Sequence, residues 1–229
     1  MLNADQAQAE AYAEWLKVQY EAPATLNNRL VQVRKLYRLL SDGGMYQGDA
    51  FEQTHGQVNP ADRRRPVYTQ QEIDRLLAHG NLEEKLLVLL GTEMGLTGPE
   101  VLKVRFEDFL SDGQELQLPG RSTVIPCPTE LRMTLLELRQ QRGEQPLFEV
   151  KLLGRVFNLE DTSALRAAVF ALCKKANVPY KAWMALRNYA GIKMLYENGD
   201  GRLTAARLGI GGRQALNPTV RLVKKIEGE

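Results

Sequence analysis

Cysteine and histidine are both scarce in this chain, with two residues of each among 229. Cys127 and Cys173 lie far apart and have no cysteine or histidine neighbour at the spacing of a metal site. The sequence therefore indicates neither a disulfide framework nor a zinc site. We expect two buried free thiols, no bound metal and no cofactor.

Long hydrophobic runs are also absent. No run approaches the roughly 18 apolar residues that a membrane span needs, and the first residues, MLNADQAQAEAY, are polar and acidic rather than a basic leader before an apolar stretch. The apolar fraction of 44% and the charged fraction of 25% are ordinary for a globular protein. We therefore expect a folded cytoplasmic protein without a membrane partner.

Acidic residues are few at the C-terminal end, so the net charge of +2 is unevenly distributed. From residue 174 onward there are eleven Lys and Arg against four Asp and Glu, whereas the preceding part has 19 basic and 24 acidic residues. Two further basic clusters are Arg29, Arg34, Lys35 and Arg38, and the run Arg63, Arg64 and Arg65. Each cluster alone is accounted for by a solvated helix face or a polar linker. Together, three separated basic segments favour a polyanionic partner.

Hydrophobic periodicity divides the chain near residue 62. Apolar residues recur at spacings of three and four over 4–20 and 25–40, which predicts two helices. Thr25 is the expected N-cap of the second helix. Because the stretch 45–66 mixes Gly, Gln, Asn and Pro, residues 1–62 are predicted to form a small helical domain with a linker.

A second domain is predicted to begin after the linker, where Thr69 and Glu72 have the spacing of a capping box. Two short extended runs, 115–118 and 123–126, flank a Pro-Gly turn and predict a β-hairpin. Helices are predicted at 69–79, 82–94, 98–104, 129–142, 149–154, 162–175, 182–197 and 201–209. The predicted fold class is mainly α with a small β-hairpin, an α+β arrangement, with domains 1–62 and 63–216 and a basic tail 217–229.

Several strings resemble the catalytic domain of the tyrosine recombinases, or phage integrases, in the family's order. The segment 95–109, GLTGPEVLKVRFEDF, is similar to the family's G-L-R-x-x-E-L followed by L-R-W-x-D. The string 184–187, MALR, stands where H-x-L-R is expected, and 208–210, LGI, where L-G-H is expected. The resemblance covers about residues 58–216. It implies an integrase-like catalytic domain, preceded by a small helical core-binding-like (SAM-like) domain, and double-stranded DNA as the partner.

The same resemblance implies that the chemistry of the family has been lost. These enzymes attack a DNA phosphodiester with a Tyr hydroxyl, and two arginines, a lysine and histidines stabilise the added charge and protonate the leaving oxygen. By position, those groups are replaced by Thr97, Arg121, Met184 and Ile210, the nucleophile falls near Thr219 or Val220, and only Arg187 matches. His55 and His79 lie outside the motifs. We therefore expect no catalytic residue and no strand cleavage.

The individual site residues also have plainer explanations. Arg187 can extend from the core to the surface or pair with Glu100 or Asp108 instead of binding a phosphate. Met184 is expected in the core with its neighbour Trp183. The glycines at 209–212 are interpreted as a helix stop and turn, because no strand precedes them and no Lys-Ser or Lys-Thr follows.

Three hypotheses of different kinds remain at this stage. The first is a non-catalytic, nucleoid-associated DNA binder that holds duplex DNA between two domains, with Arg121 and Arg187 on one phosphate. The second is a divergent active recombinase, for which Tyr189 or Tyr196 would have to serve as nucleophile. The third is a protein-interaction module. Partnership with an active recombinase belongs to the first hypothesis, and self-association through 220–226 bears on the third.

The first hypothesis identifies sixteen candidate DNA contacts. They are Arg29, Arg34, Lys35, Arg38, Arg63, Arg64, Arg65, Lys103, Arg105, Arg121, Lys174, Lys175, Lys181, Arg187, Arg207 and Arg213.

Overall fold

The structure is a computed structural model that describes residues 4–48, 50–57, 66–143, 153–211, 216, 217, 219–221 and 223. The chain forms two compact units, Met1–Arg64 and Arg65–Glu229. It is mainly helical with one small antiparallel sheet, as predicted. Within the described ranges no helix is both long and apolar enough to cross a bilayer.

The first unit contains helices α1 (Gln6–Gln19) and α2 (Pro23–Asp42). Asp5 caps α1 by accepting a hydrogen bond from the backbone N–H of Gln8 at 2.8 Å. The prediction that Thr25 caps α2 is wrong, because this helix begins at Pro23 without a side-chain cap. Proline suits a first helical position, since its ring fixes φ and the missing N–H has no partner there.

Two apolar clusters and one arginine hold the first unit together. Leu16, Leu26 and Leu30 are buried between the helices. A second cluster includes Tyr37 and Phe51, so that the segment after α2 packs back on the helix. Arg34 donates to the backbone carbonyls of Phe51 and Thr54. This side chain therefore ties α2 to the chain that follows it.

Besides short 3-10 turns and the helical residues near its C-terminal end, the described part of the second unit has seven α-helices of defined bounds and three short strands. They are α3 (Gln70–His79), α4 (Leu82–Thr92), α5 (Gly98–Lys103), β1 (Phe109–Leu110), β2 (Glu115–Leu116), β3 (Ile125–Pro126), α6 (Thr129–Gln141), α7 (Thr162–Lys175), α8 (Trp183–Asn198) and α9 (Gly201–Arg207). The sequence missed β1, which pairs with β2 and extends the predicted hairpin to three strands. Residues 149–152 of one predicted helix lie outside the described residues, and 153 and 154 are not helical.

Helix α4 is the centre of this unit and fixes the position of α8. Its run from Leu86 to Leu90 is buried on all sides, and it packs against α6 and α8. Gly91 allows the close approach to α8, because a Cβ at this position would lie 2.8 Å from Cβ of Leu186. The neighbouring Arg187 is therefore held on a rigid element.

The described residues of the predicted basic tail are folded. Residues 217, 219–221 and 223 are helical, and Leu216 and Thr219 are buried. Leu216 packs with Ala190, Met194 and Leu208 in a small cluster beside the main core. Leu216 and Thr219 therefore lie in contact with α8 and with the cluster beside it.

Candidate functional site

The side chain of Arg187 on α8 bonds to two other segments of the chain, one before α5 and one at the end of α9. Its Nη2 donates to the carbonyl of Leu208 at 2.8 Å, and its Nη1 donates to the carbonyl of Gly95. Burial lowers the pKa of this guanidinium, Glu100 raises it and Arg121 lowers it, yet arginine remains charged in proteins. Among the described residues, Arg187 makes no ion pair with Glu100 or Asp108, the alternative to phosphate binding, and donates to backbone carbonyls instead.

Arg121 reaches the same region from the loop between β2 and β3. Its side chain is only 4% exposed and pairs with both carboxylate oxygens of Glu100, through Nε and Nη2, at 2.7 Å each. Its Nη1 donates to the carbonyl of Arg207, next to the carbonyl that receives Arg187. Two arginines therefore cap the C-terminal end of α9, where carbonyls lack helical partners.

Thr97 has a structural role at the N-terminus of α5. Its backbone N–H donates to Oε2 of Glu100 at 2.6 Å, and its hydroxyl donates to the same oxygen at 2.8 Å. Burial alone would raise the pKa of Glu100, but the hydrogen bonds from Arg121 and Thr97 outweigh it and leave the pKa below its ordinary value. Thr97, which the sequence strings align with the family's first arginine, therefore serves as a helix cap.

Met184 is half exposed, with 51% of its surface accessible, so its predicted place in the core is wrong. Trp183 is buried as expected and donates its indole N–H to the carbonyl of Leu96 at 2.8 Å. One residue turns a helix by about 100°, and this rotation leaves Met184 at the surface while Trp183 faces the core.

Ile210 and Thr219 are engaged in packing. Ile210 packs against the cluster around Leu208, and its N–H donates to the carbonyl of Ala205 at 2.9 Å. Thr219 is 8% exposed and lies against α8, because a Cβ on Gly191 would come within 3.0 Å of its Cγ2. Ile210 has no group able to transfer a proton, and the hydroxyl of Thr219 belongs to a buried residue packed against α8.

Tyr189 and Tyr196 are the tyrosines that the hypothesis of a divergent recombinase requires as nucleophiles. Desolvation raises the pKa of Tyr189, and its hydroxyl donates to the side-chain oxygen of Gln70. Tyr196 is half exposed but lies about 13 Å further along α8, at 1.5 Å per residue. The two histidines are exposed, and His79 bonds the carbonyl of Arg75 in its own helix.

The candidate DNA contacts fall into distinct environments. Lys181 is half-buried and pairs with Glu72 at 2.7 Å, a structural contact like that of Arg34. Lys175 and Arg105 are exposed but take part in ion pairs with Glu84 and Glu107. Arg207 is half-buried, whereas Arg29, Lys35, Arg38, Lys103 and Lys174 are exposed. Arg63, Arg64, Arg65 and Arg213 lie outside the described residues.

The two thiols differ in their surroundings. Cys173 is buried beside the hydroxyl of Tyr68 at 3.4 Å, and Cys127 is half-buried against the core. Burial raises the pKa of both, that of Cys127 to about 12. No group of three or more His, Cys, Asp or Glu side chains suited to a metal occurs among the described residues.

Solved integrase and recombinase structures share this fold at low identity, although no protein-family model and no curated sequence match. The Tn1549 transposon integrase in complex with circular intermediate DNA is 15% identical, with a TM-score of 0.69 over 100% of this chain and 86% of that chain. A lambda integrase dimer bound to a COC' core site is 12% identical, with a TM-score of 0.67 over 96% and 81%. XerH site-specific recombinase bound to palindromic difH substrate is 15% identical, with a TM-score of 0.68 over 98% and 71%. The chain therefore has the fold of the tyrosine recombinases and integrases, to which its sequence strings pointed.

Proposed function

We propose that this chain binds duplex DNA through a recombinase fold and does not cut it. The observation that carries the proposal is the state of the family's catalytic positions. Only Arg187 matches the family's own residue, and the second cation, Arg121, is paired with Glu100. Thr97 caps a helix, Met184 is an exposed thioether and Thr219 is packed against α8.

Strand cleavage at such a site would lack the nucleophile and most of the groups that stabilise the transition state. Removing one donor that stabilises the transition state typically costs about 2.7 to 4 kcal/mol of barrier, and several are missing here together with the nucleophile. Arg121 does not restore them, since its charge is matched by Glu100 and arginine is a poor proton donor. Phosphate binding needs only a cation, so DNA affinity can persist after cleavage is lost.

DNA affinity is supported by the exposed cations and by the solved structures of similar fold. Lys35 and Arg38 are both exposed, three residues apart on α2, and Lys174 is exposed at the end of α7. The Tn1549, lambda and XerH proteins are each bound to DNA in their structures. We infer that both units of this chain contribute phosphate contacts, and that Arg187 contributes one through the N–H groups that its carbonyl partners leave unused.

The test is the binding of a fluorescent duplex of about 30 base pairs across a salt series, with products run on a denaturing gel. We expect affinity that falls steeply with salt and no covalent protein-DNA adduct. Lys174 and Lys175 provide a matched pair, since both are exposed and only the second is held by Glu84, at 3.0 Å, among the described residues. Lys174→Ala should lower the salt slope by about 1, and Lys175→Ala by less.

Two outcomes would overturn the proposal in different directions. The absence of binding at low salt would leave the protein-interaction module as the better account. A covalent adduct or a nicked strand would establish a divergent recombinase, and Tyr189→Phe and Tyr196→Phe would then identify the nucleophile.

A further inference from the structure

Helix α7 presents an exposed aromatic ring between two cations. Arg166, Phe170 and Lys174 follow one another at intervals of four residues, so their side chains lie in a row on one side of the helix. Phe170 is 55% exposed, an unusual state for a ring of this size. The helix contains no acidic residue between Thr162 and Lys175.

The chain turns back after α7 and places a second ring against the first. Asn177 adopts a left-handed conformation with φ of 53°, and the N–H of Val178 donates to the carbonyl of Cys173 at 2.9 Å. Such a helix ending reverses the chain direction. Tyr180 then meets Phe170 edge to face, with ring centroids 5.6 Å apart and an interplanar angle of 79°.

The residue after Tyr180 is anchored in the unit. The backbone N–H of Lys181 donates to the hydroxyl of buried Tyr68 at 2.9 Å, and its ammonium group pairs with Glu72 at 2.7 Å. Tyr180 is therefore held in place by its neighbour although its own ring is 37% exposed. A surface ring fixed in this way loses little conformational entropy when a ligand packs against it.

We propose that Phe170 and Tyr180 form a subsite for an unpaired nucleobase of DNA, with Arg166 and Lys174 on the flanking phosphates. The proposal rests on the proposed function and adds a preference for DNA that carries an unstacked base. Every base has a flat face that stacks on an exposed aromatic side chain, whereas a base inside an intact duplex is already stacked. The flanking cations, Arg166 and Lys174, can pair with the phosphates of a nucleic acid. An apolar protein ligand would offer them no negative charge.

The experiment compares two duplexes of about 30 base pairs. One is intact, and the other has a one-nucleotide bulge formed by an unpaired 2-aminopurine. Affinity is measured by anisotropy of a terminal dye, and stacking by the emission of 2-aminopurine. The variants are Phe170→Ala, Tyr180→Ala and Phe170→Trp. Met133→Ala is the matched control, because Met133 is 51% exposed on α6 but is flanked by Glu130 and Glu137.

The wild-type chain should bind the bulged duplex more tightly than the intact one and change the emission of its 2-aminopurine. Phe170→Ala should weaken binding to the bulged duplex about tenfold and abolish the emission change. Phe170→Trp should retain both properties and Met133→Ala should alter neither. A thermal unfolding midpoint equal to that of the wild type shows that a variant is folded, and Tyr180→Ala provides a second test if Phe170→Ala is not.

Failure of this inference is distinguishable from failure of the proposed function. Binding of both duplexes with equal affinity, unchanged in the Phe170 and Tyr180 variants, would overturn the subsite and leave DNA binding intact. Binding of neither duplex at low salt would overturn both.

Discussion

Arg121 and Glu100 form a bidentate ion pair that joins the loop after β2 to helix α5. Both N–O distances are 2.7 Å, and the arginine side chain is 4% exposed. The same guanidinium donates to the carbonyl of Arg207, so three separate elements meet on one side chain. Removing one partner of a buried ion pair is strongly destabilising, because the other charge is left buried without a counter-ion.

Arg121→Ala should therefore destabilise the protein strongly. The substitution leaves the carboxylate of Glu100 half-buried without its counter-ion, and we expect a loss of about 3 kcal/mol in the free energy of unfolding. Arg105→Ala is the control, because Arg105 pairs with Glu107 at the surface and exposed pairs contribute little. Urea titration of both variants measures the difference, and equal losses would show that burial of the Arg121 pair is energetically unimportant.

The same pair makes stability depend on pH. Burial alone would raise the pKa of Glu100 and of Glu72, but hydrogen bonds from Arg121 and Thr97 and from Lys181 and Thr69 leave both below the ordinary value. A carboxyl whose pKa is lower in the folded state adds stability above its unfolded pKa, about 4.3, and loses it as the pH falls through the folded value.

We therefore expect the free energy of unfolding to decrease below about pH 4.3, and Glu100→Gln to weaken that decrease. The Gln variant should also be less stable at pH 7, since Arg121 then lacks its counter-ion. Urea titrations between pH 7 and pH 3 provide the measurement. Glu130→Gln, which removes an exposed carboxylate on α6, should leave the wild-type profile unchanged. An identical acid profile in Glu100→Gln would rule out this carboxyl as a source of the dependence.

Two constraints favour glycine at position 209: its positive φ and the close approach of the Arg121 side chain. Gly209 and Gly199 both have a positive φ, of 63° and 61°, but a Cβ at Gly209 would lie 2.9 Å from Nε of Arg121 while Gly199 faces open space. Gly199→Ala should cost about 1 kcal/mol, the strain of a left-handed residue with a Cβ. Gly209→Ala should cost clearly more. Similar losses in thermal unfolding would mean that Arg121 moves aside freely.

Local signals made the helices predictable. The predicted helix 162–175 matches α7, and the capping box of Thr69 and Glu72 is present at the start of α3. Strand β1 was not predicted, because it consists of only two residues, Phe109 and Leu110, which are too few to show an alternating pattern. The cap at Thr25 failed because a proline two residues earlier already starts the helix.

The site was less accessible to sequence reasoning because its contacts are long-range. Arg187 was identified from the strings around it, but its carbonyl partners, Gly95 and Leu208, belong to other segments. The pair of Glu100 and Arg121 spans 21 residues and joins a helix cap to a turn. No sequence periodicity connects these positions. Only the folded chain shows that the carboxylate of Glu100 pairs with Arg121 and not with Arg187.

Lys35 provides the last test, because it asks whether the N-terminal unit contacts DNA at all. Lys35 is exposed on α2, whereas Lys17 on α1 pairs with Glu14. Each Lys→Ala change removes one charge, so a difference between them reports a local phosphate contact rather than net charge. Lys35→Ala should weaken binding to the intact duplex and lower the salt slope by about 1, while Lys17→Ala should leave the slope unchanged. Equal slopes in both variants would exclude Lys35 as a phosphate contact, and wild-type slopes in Arg29→Ala and Arg38→Ala as well would confine the contacts to Arg65–Glu229.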